Sequence, residues 1–421
     1  MLPLFGGGGA GRQSLLSGAS LSPLATWSRA SAAWAFGEGG SLLSFPADAP
    51  RPYYVPAGGP AGFLIEEQRT NNIRNPGGDA SSVGAVPNYW QPQTNYGITL
   101  EWLGPVVRIG QRGQRVRLYG TATANGNVII NLETANSIAV SPGQWWAASL
   151  SLALVEKRGA GAENWGIRSI VRNSSGGAVS GESPTNSFAP DETLRRFDHT
   201  RQFGTDSTIA YFQPGLSFGV SVNGVYDTIF DVCAVQAEQA SFPSTPILTA
   251  PGTFGATARA VDALSLDPRT LPGGGRKGTF LIRWMDLAGT AQSPNRGVFS
   301  WSDGSASNRL LGFVPSNSAI AMATRCTNGG TGYDAPTLSS FRPGSWNTYA
   351  LTYGGSRFGH ALNGVAASRN DAVLPLDVLL RYPIRPMGPG TSVSPTAGIV
   401  ALIDFIPRVM SDAELSLISA N

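Results

Sequence analysis

Apolar runs in this chain are short, and several are separated by residue pairs that reverse the backbone. The clearest reversals are Asn-Gly at 125–126, 223–224 and 363–364. Apolar runs flank each of them, such as Val128-Ile129-Ile130 after the first and 358–362 before the third. Asn-Gly accepts the left-handed backbone of a two-residue turn, so each pair predicts a β-hairpin. Between reversals the period is two. Along 346–353, Trp346, Thr348, Ala350 and Thr352 fall on one face, and Asn347, Tyr349, Leu351 and Tyr353 on the other. Glycine numbers 53, proline 30, and only 14% of residues are charged, against about 25% in ordinary globular domains. These features predict an all-β chain rich in turns, built as antiparallel sandwiches. At 421 residues it has room for two or three domains.

The same numbers exclude several classes. A net charge of +3, carried mostly by dispersed arginine, does not make a nucleic-acid surface. The denser run Arg108, Arg112, Arg115 and Arg117 reads as a solvated strand face, with a polyanion-binding patch as the alternative. Cys233 and Cys326 fall in different modules, with neither a disulfide framework nor metal-ligand spacing, so no cofactor or metal is expected. No run of 18 apolar residues predicts a membrane span, and the start of the chain lacks the pattern of a signal peptide.

Residues 62–72, Gly-Phe-Leu-Ile-Glu-Glu-Gln-Arg-Thr-Asn-Asn, set two carboxylates side by side. On a strand Glu66 and Glu67 point to opposite faces, so they do not converge on one bond as a glycosidase pair must. Together with Trp27-Ser28-Arg29-Ala30-Ser31-Ala32-Ala33 and Pro50-Arg51, this run resembles a leader of bacteriophage and prophage virion proteins. Those are of the tail-fibre, head-spike and receptor-binding type. The resemblance implies that Arg29, Glu66, Glu67 and Arg69 serve subunit or particle attachment; Glu67 and Arg69, on one strand face, are expected to be partners within or between subunits. It also implies that the leader precedes carbohydrate-binding-like sandwiches.

Three regions follow. Residues 1–75 are expected to form an extended N-terminal arm and virion-attachment leader, whose removal would leave the rest folded. Residues 76–258 form a first sandwich. Its exit, Val235-Gln236-Ala237-Glu238 followed by 241–249 and Ala258-Arg259-Ala260-Val261-Asp262, resembles that of phage jelly-roll modules similar to carbohydrate-binding modules. Residues 259–421 form a second sandwich. Its tryptophan strand, its Asn-Gly turn and the closing Ser411-Asp412-Ala413-Glu414-Leu415 resemble the concanavalin/laminin-G-like jelly roll. Ser411 and Glu414 have the spacing of a capping box for a terminal helix.

Catalytic signatures are sparse. His199 and His360 lack a nucleophile motif, and Glu66, Glu67, Glu101, Glu156, Glu163 and Asp227 share no acid/base pattern. The expectation is a protein that is not an enzyme. Sugars stack their C–H faces on aromatic rings and bind hydroxyls to amides and guanidinium groups. The candidates for such contacts are Trp90, Trp102, Asn164, Trp165 and Arg168 in the first sandwich, and Trp301, Asp303 and Arg309 in the second. For the tryptophans, core packing is the competing role. Asp303 alone is weak support for a calcium site. The combined expectation is a structural virion protein, tail fibre or head spike, that binds host-surface polysaccharide. A virion depolymerase and a purely structural capsid or tail decoration protein are the alternatives. Expected partners are other virion proteins (capsid, portal or tail), host polysaccharide and further copies of the chain, most simply as a trimer; the expected location is the virion, with synthesis in the host cytoplasm.

Overall fold

The computed structural model describes residues 12–54, 59–287, 295–318, 320–388, 394–395 and 397–420. The glycine run at 6–9, expected to be part of a tether or docking arm, lies outside the described residues. The chain divides into two compact units. One, the split unit, joins residues 1–39, 44–68 and 260–421, and the other, the inserted unit, comprises 40–43 and 69–259.

The inserted unit pairs two antiparallel sheets. Five strands run in the order Ile98–Arg108, Gln111–Thr121, Val225–Glu238, Trp145–Lys157, Arg195–Gln202. The six-stranded sheet runs Thr185–Phe188, Asn164–Arg172, Tyr211–Val220, Gly126–Asn131, Gln91–Gln93, with Ile138–Ala139 also on Tyr211–Val220. Their inner faces bury Trp146, Leu150, Trp165, Phe212, Phe218 and Phe230 in one core. The rings of Phe218 and Phe230 meet Trp165 edge-on at 4.7 and 4.9 Å.

The split unit is a larger sandwich. One sheet carries Gly398–Ile406, Gly278–Asp286, Trp346–Gly354, Arg357–Leu362 and Val365–Arg369 in succession. The facing sheet is built around Arg296–Ser302 and Arg309–Val314. Among the described residues Ser394–Pro395 runs parallel to Arg296–Ser302, and the strands named above pair antiparallel. The alternation of the tryptophan strand holds: Tyr349, Leu351 and Tyr353 enter the main core, while Ala350 packs with Leu415 of the terminal helix on the other side. That helix, Asp412–Ser419, begins with the expected capping box. The Ser411 N–H donates to Glu414 Oε2 at 2.8 Å, and the Glu414 N–H donates to Ser411 Oγ at 3.4 Å.

The all-β class and the antiparallel sandwiches are as expected, but the leader is not a separate arm. Gly398–Ile406 receives two leader strands along one edge: Gln13–Ser17 pairs with its C-terminal half and Pro60–Ile65 with its N-terminal half. Ala25–Ser28 pairs with Ala263–Leu266 in the facing sheet. Leu15, Leu16, Trp27, Phe63 and Ile65 are buried in the same core as Trp284 and Trp301. At Gly62 the two backbones are so close that a Cβ would sit 2.2 Å from the Val400 carbonyl oxygen. The first sandwich is therefore an insertion within the second, and residues 12–39, 44–54 and 59–68 complete the fold they were expected only to precede.

The leader motif also holds a closed charge network. Arg29, Arg51, Glu66 and Asp262 are 0–2% exposed. Arg29 Nη1 donates to Asp262 Oδ1 at 2.9 Å, and Arg51 Nη1 to Glu66 Oε2 at 2.7 Å. Arg51 Nη2 and the Glu66 N–H both donate to Asp262 Oδ2. Arg29 further donates to the carbonyls of Ser31, Pro46 and Ala49. Burial pushes the Arg51 guanidinium down, but Glu66 and Asp262 together hold it above its ordinary value. Two cations face two anions with their hydrogen-bonding capacity turned inward, which is what makes such burial tolerable.

Of the three Asn-Gly pairs only the last closes a hairpin. Asn363 and Gly364 take φ of 50° and 90°, joining Leu362 to its register partner Val365. Asn125-Gly126 and Asn223-Gly224 instead carry the chain from one sheet of the inserted unit to the other. A turn signal marks a reversal and leaves the destination sheet to tertiary packing. The tightest hairpin of this unit turns at Ile109-Gly110, where a β-branched residue takes φ 43°.

Candidate functional site

Strand alternation separates the residues that sequence proximity suggested would act together. Along Asn164–Arg172, Trp165, Ile167 and Val171 enter the core. Asn164, Gly166, Arg168, Ile170 and Arg172 occupy the opposite, outer face. The neighbouring strand does the same: Phe212, Leu216 and Phe218 point inward, and Tyr211, Gln213, Gly215, Ser217 and Gly219 outward. Register then defines cross-strand rows on the outer face. Asn164, Gly219 and Asn127 form one row. Gly166, Ser217, Ile129 and Gln93 form the next, and Arg168, Gly215, Asn131 and Gln91 the third.

The face has the exposure pattern of a shallow trough. Asn127, Asn164, Gln91 and Gln93 at its margins are exposed, whereas Ile129, Asn131 and Ser217 in the middle are buried. Glycines keep the middle low. A Cβ at Gly215 would lie 2.9 Å from Ile129 Cγ2, and one at Gly219 would lie 3.1 Å from Asn164 Cβ.

Charge on this face is unbalanced. Arg172 donates from Nε to Gln213 Oε1 at 2.8 Å and from Nη1 to the Gly176 carbonyl at 2.8 Å, both neutral acceptors. Burial, and then repulsion from Arg168, pushes its guanidinium below the ordinary value. Gln213 Nε2 in turn donates to Gln91 Oε1 at 3.0 Å and the Glu133 carbonyl at 2.8 Å. Among the described residues Arg168 makes no hydrogen bond or ion pair, and its Nε is buried. Across Gly215, Asn131 Nδ2 donates to the Gln91 carbonyl at 3.0 Å while its Oδ1 is buried without a partner. A donor and an acceptor thus stand unpaired on either side of a glycine, where two strand spacings separate their backbones by about 10 Å.

The outer face of the other sheet is the reverse case. Arg108 and Arg115 both bind Asp231 at 2.8 Å, and Arg117 binds Asp227 at 2.7 Å. Arg112 lies on the opposite face of its strand, where it pairs with Asp79 at 3.0 Å. Arg108, Arg115 and Arg117 thus form a neutralised strand face, while Arg112, expected on the same face, is paired on the other side of the strand.

The remaining candidates disperse. Trp90, Trp102, Trp165 and Trp301 are 0–6% exposed and offer no ring face to a sugar. Trp90 Nε1 donates to the Asn75 carbonyl at 3.1 Å, Trp165 Nε1 to Glu163 Oε2 at 3.2 Å, and Trp301 Nε1 to the Leu379 carbonyl at 2.6 Å. These rings fill cores because large apolar area on an inward strand position is worth more buried than wet. Asp303 closes its own turn, accepting from Ser305 N and Oγ and from Asn308 Nδ2. Those hydrogen bonds hold its carboxyl below the usual range. Arg309 is buried, with Nε donating to Thr327 Oγ1 at 3.3 Å. Of the attachment residues, Arg29 and Glu66 are enclosed in the split unit and are inaccessible to another chain. In the inserted unit Arg69 lies over the Phe242 ring at 4.7 Å and 3.9 Å from Glu238. Glu67 is partly buried.

His199 Nδ1 lies 3.1 Å from Ser169 Oγ and 3.0 Å from the Ile167 carbonyl. His360 is enclosed between Thr324 and the Pro336 carbonyl, and burial pushes it down to about 4.

Asn164 and Arg168 are the two sequence candidates that the fold brings to one outer face. Asn127, Asn131, Arg172 and Gln213 were missed. The signal was available in Tyr-Phe-Gln-Pro-Gly-Leu-Ser-Phe-Gly at 211–219, where apolar residues alternate with small or polar ones.

No protein-family model matches the sequence, and no curated protein matches it. Solved structures similar to it include the CBM40 of a Ruminococcus gnavus IT-sialidase bound to α2,3-sialyllactose. It is 17% identical, spans 37% of this chain and 92% of that one, and has a TM-score of 0.31. The tripod from the baseplate of bacteriophage Tuc2009 is 11% identical over 72% of this chain and 96% of that one, with a TM-score of 0.32. The CBM22 tandem of Paenibacillus barcinonensis Xyn10C is 10% identical over 82% of this chain and 98% of that one, with a TM-score of 0.25. At these scores the likeness goes no further than the occurrence of β-sandwiches.

Proposed function

We propose that this chain is a glycan-binding structural protein of a phage-type particle, which adheres to host-surface polysaccharide without cleaving it. The trough on the six-stranded sheet carries the proposal. Its margins hold exposed amides, which both donate to and accept from hydroxyl groups, and Gly215 and Gly219 keep side chains out of its middle. The leader resemblance supplies the particle context. Single-site glycan contacts are weak, so several displayed copies would raise avidity by about 100- to 10,000-fold where geometry lets them engage together.

A glycan array and bacterial envelope polysaccharides, probed with the full chain, test the adhesion. A reducing-sugar assay on every ligand found tests the absence of turnover. Binding without release of reducing ends is expected. No binding to any envelope polysaccharide sinks the adhesin reading, and release of reducing ends replaces it with a depolymerase.

A further inference from the structure

We infer that the trough is selective for anionic polysaccharide and that Arg168 grips a carboxylate of the sugar; this rests on the glycan-binding reading above. The inference starts from an asymmetry between the two outer faces of one sandwich. On the outer face of the five-stranded sheet Arg108 and Arg115 are matched to Asp231, and Arg117 to Asp227. Arg168 and Arg172 lie on the same face of one strand, four residues apart, and have no carboxylate partner among the described residues.

The acidic groups that could have served them are engaged elsewhere. Glu133 binds Arg74 at 2.6 Å, and Glu182 pairs with Arg201. Glu163 accepts from Trp165 Nε1 at 3.2 Å and lies 3.6 Å from Lys157. Two guanidinium groups held near each other without counter-charge raise the local potential, and an incoming anion relieves it.

Geometry narrows the anion. A guanidinium presents its Nε and one Nη as parallel donors that match the two oxygens of a carboxylate. In Arg168 that Nε is buried and unpaired. Asn131 Oδ1, also buried and unpaired, stands across Gly215 on the same register row and can accept from a sugar hydroxyl. One residue of an acidic polysaccharide offers both groups, a carboxylate and neighbouring hydroxyls on one ring. Arg172 is already fixed by Gln213 and Gly176 and acts at longer range, through charge.

The test uses the full chain, immobilised, against polygalacturonate, alginate and hyaluronan as carboxylated polymers, dextran as a neutral one and dextran sulfate as a general polyanion. Arg168→Gln keeps a polar side chain and removes the charge. Arg117→Gln makes the same change on the neutralised face. Unchanged melting of both variants shows that each is folded.

Binding to at least one carboxylated polymer, weakened about 10- to 100-fold by Arg168→Gln and unaffected by Arg117→Gln, is the expected result. Dextran binding that matches the carboxylated polymers and ignores Arg168→Gln overturns the anionic assignment while leaving adhesion standing. Preference for dextran sulfate with equal losses in both variants also overturns it, since that is diffuse attraction to a basic protein. Failure of all three carboxylated polymers overturns it outright, and failure of every envelope polysaccharide removes the adhesin reading as well.

Discussion

Replacing Asp262 by alanine should selectively unfold the split unit. Asp262 is 0% exposed and uses both oxygens, Oδ1 for Arg29 and Oδ2 for Arg51 and the Glu66 N–H. Truncation leaves two buried guanidinium groups facing the single carboxylate of Glu66, so one positive charge is uncompensated. Breaking a buried pair in this way costs about 3–5 kcal/mol, and the orphaned Glu66 N–H adds about 1 kcal/mol. Against a domain stability of about 5–15 kcal/mol the loss is severe. With a urea slope of about 3 kcal/mol per molar, the midpoint should fall by roughly 1.3–2 M.

The protein carries its own reporters for this measurement. Cys326 is buried in the split unit and Cys233 in the inserted unit. Burial pushes both thiols up to about 12, so neither should react until its unit opens. Thiol labelling across a urea series, read by peptide mass, should show the Cys326 transition shifting while that of Cys233 stays in place. A Cys326 midpoint within about 0.3 M of the parent, or an equal shift at Cys233, would refute the network as a local keystone of the split unit.

Other outcomes follow from the same structure. Deleting residues 1–68 removes Leu15, Leu16, Trp27, Phe63 and Ile65 from the core of the split unit. At about 1.5–3 kcal/mol each the loss approaches the whole stability of a domain, so the truncated chain should label at Cys326 without denaturant. Trp165→Ala should cost about 3–5 kcal/mol and lower the melting temperature of the inserted unit by about 10 °C or more, through lost core packing and no direct ligand contact. His360 has a folded value of about 4, below its unfolded one, so the unfolded state binds the extra proton between pH 6.5 and 4. Stability of the split unit should therefore fall as pH drops through that window, by about 2–3 kcal/mol in all, and His360→Gln should flatten this part of the urea-midpoint profile. Gly62→Val should destabilise the split unit, because its Cβ meets the Val400 carbonyl at 2.2 Å; an unchanged melting curve would count against the strand pairing described for Pro60–Ile65.

Much of the local structure was legible in the residues themselves. The alternation of 346–353, the Asn363-Gly364 hairpin and the Ser411–Glu414 cap depend on neighbours a few positions apart, and each formed as expected. Glu66 and Glu67 were expected to alternate on a strand, but the strand ends at Ile65, and burial of Glu66 in the charge network is what sets it apart from the partly exposed Glu67. Along Asn164-Trp165-Gly166-Ile167-Arg168 the two-residue period sends the ring inward and the amide and guanidinium outward. Trp90, Trp102 and Trp301 were ambiguous for a different reason. A tryptophan serves equally as core or platform, and only the facing sheet decides which.

By itself the sequence determined the strand class, the periodicity of its faces and the terminal helix, because those are set by backbone sterics and by contacts close in the chain. It also carried every member of the Arg29–Arg51–Glu66–Asp262 network. Only the tertiary structure showed them to be one buried object, since Asp262 reaches Arg29 across 233 positions. The same holds for the leader, whose strands join an edge formed some 330 residues or more downstream. Which arginines are neutralised was likewise undecided until sheet order set Asp231 beside Arg115 and left Arg168 beside Gly215. Charge balance is a property of side chains brought close in space, and strand register across a folded sheet decides that proximity.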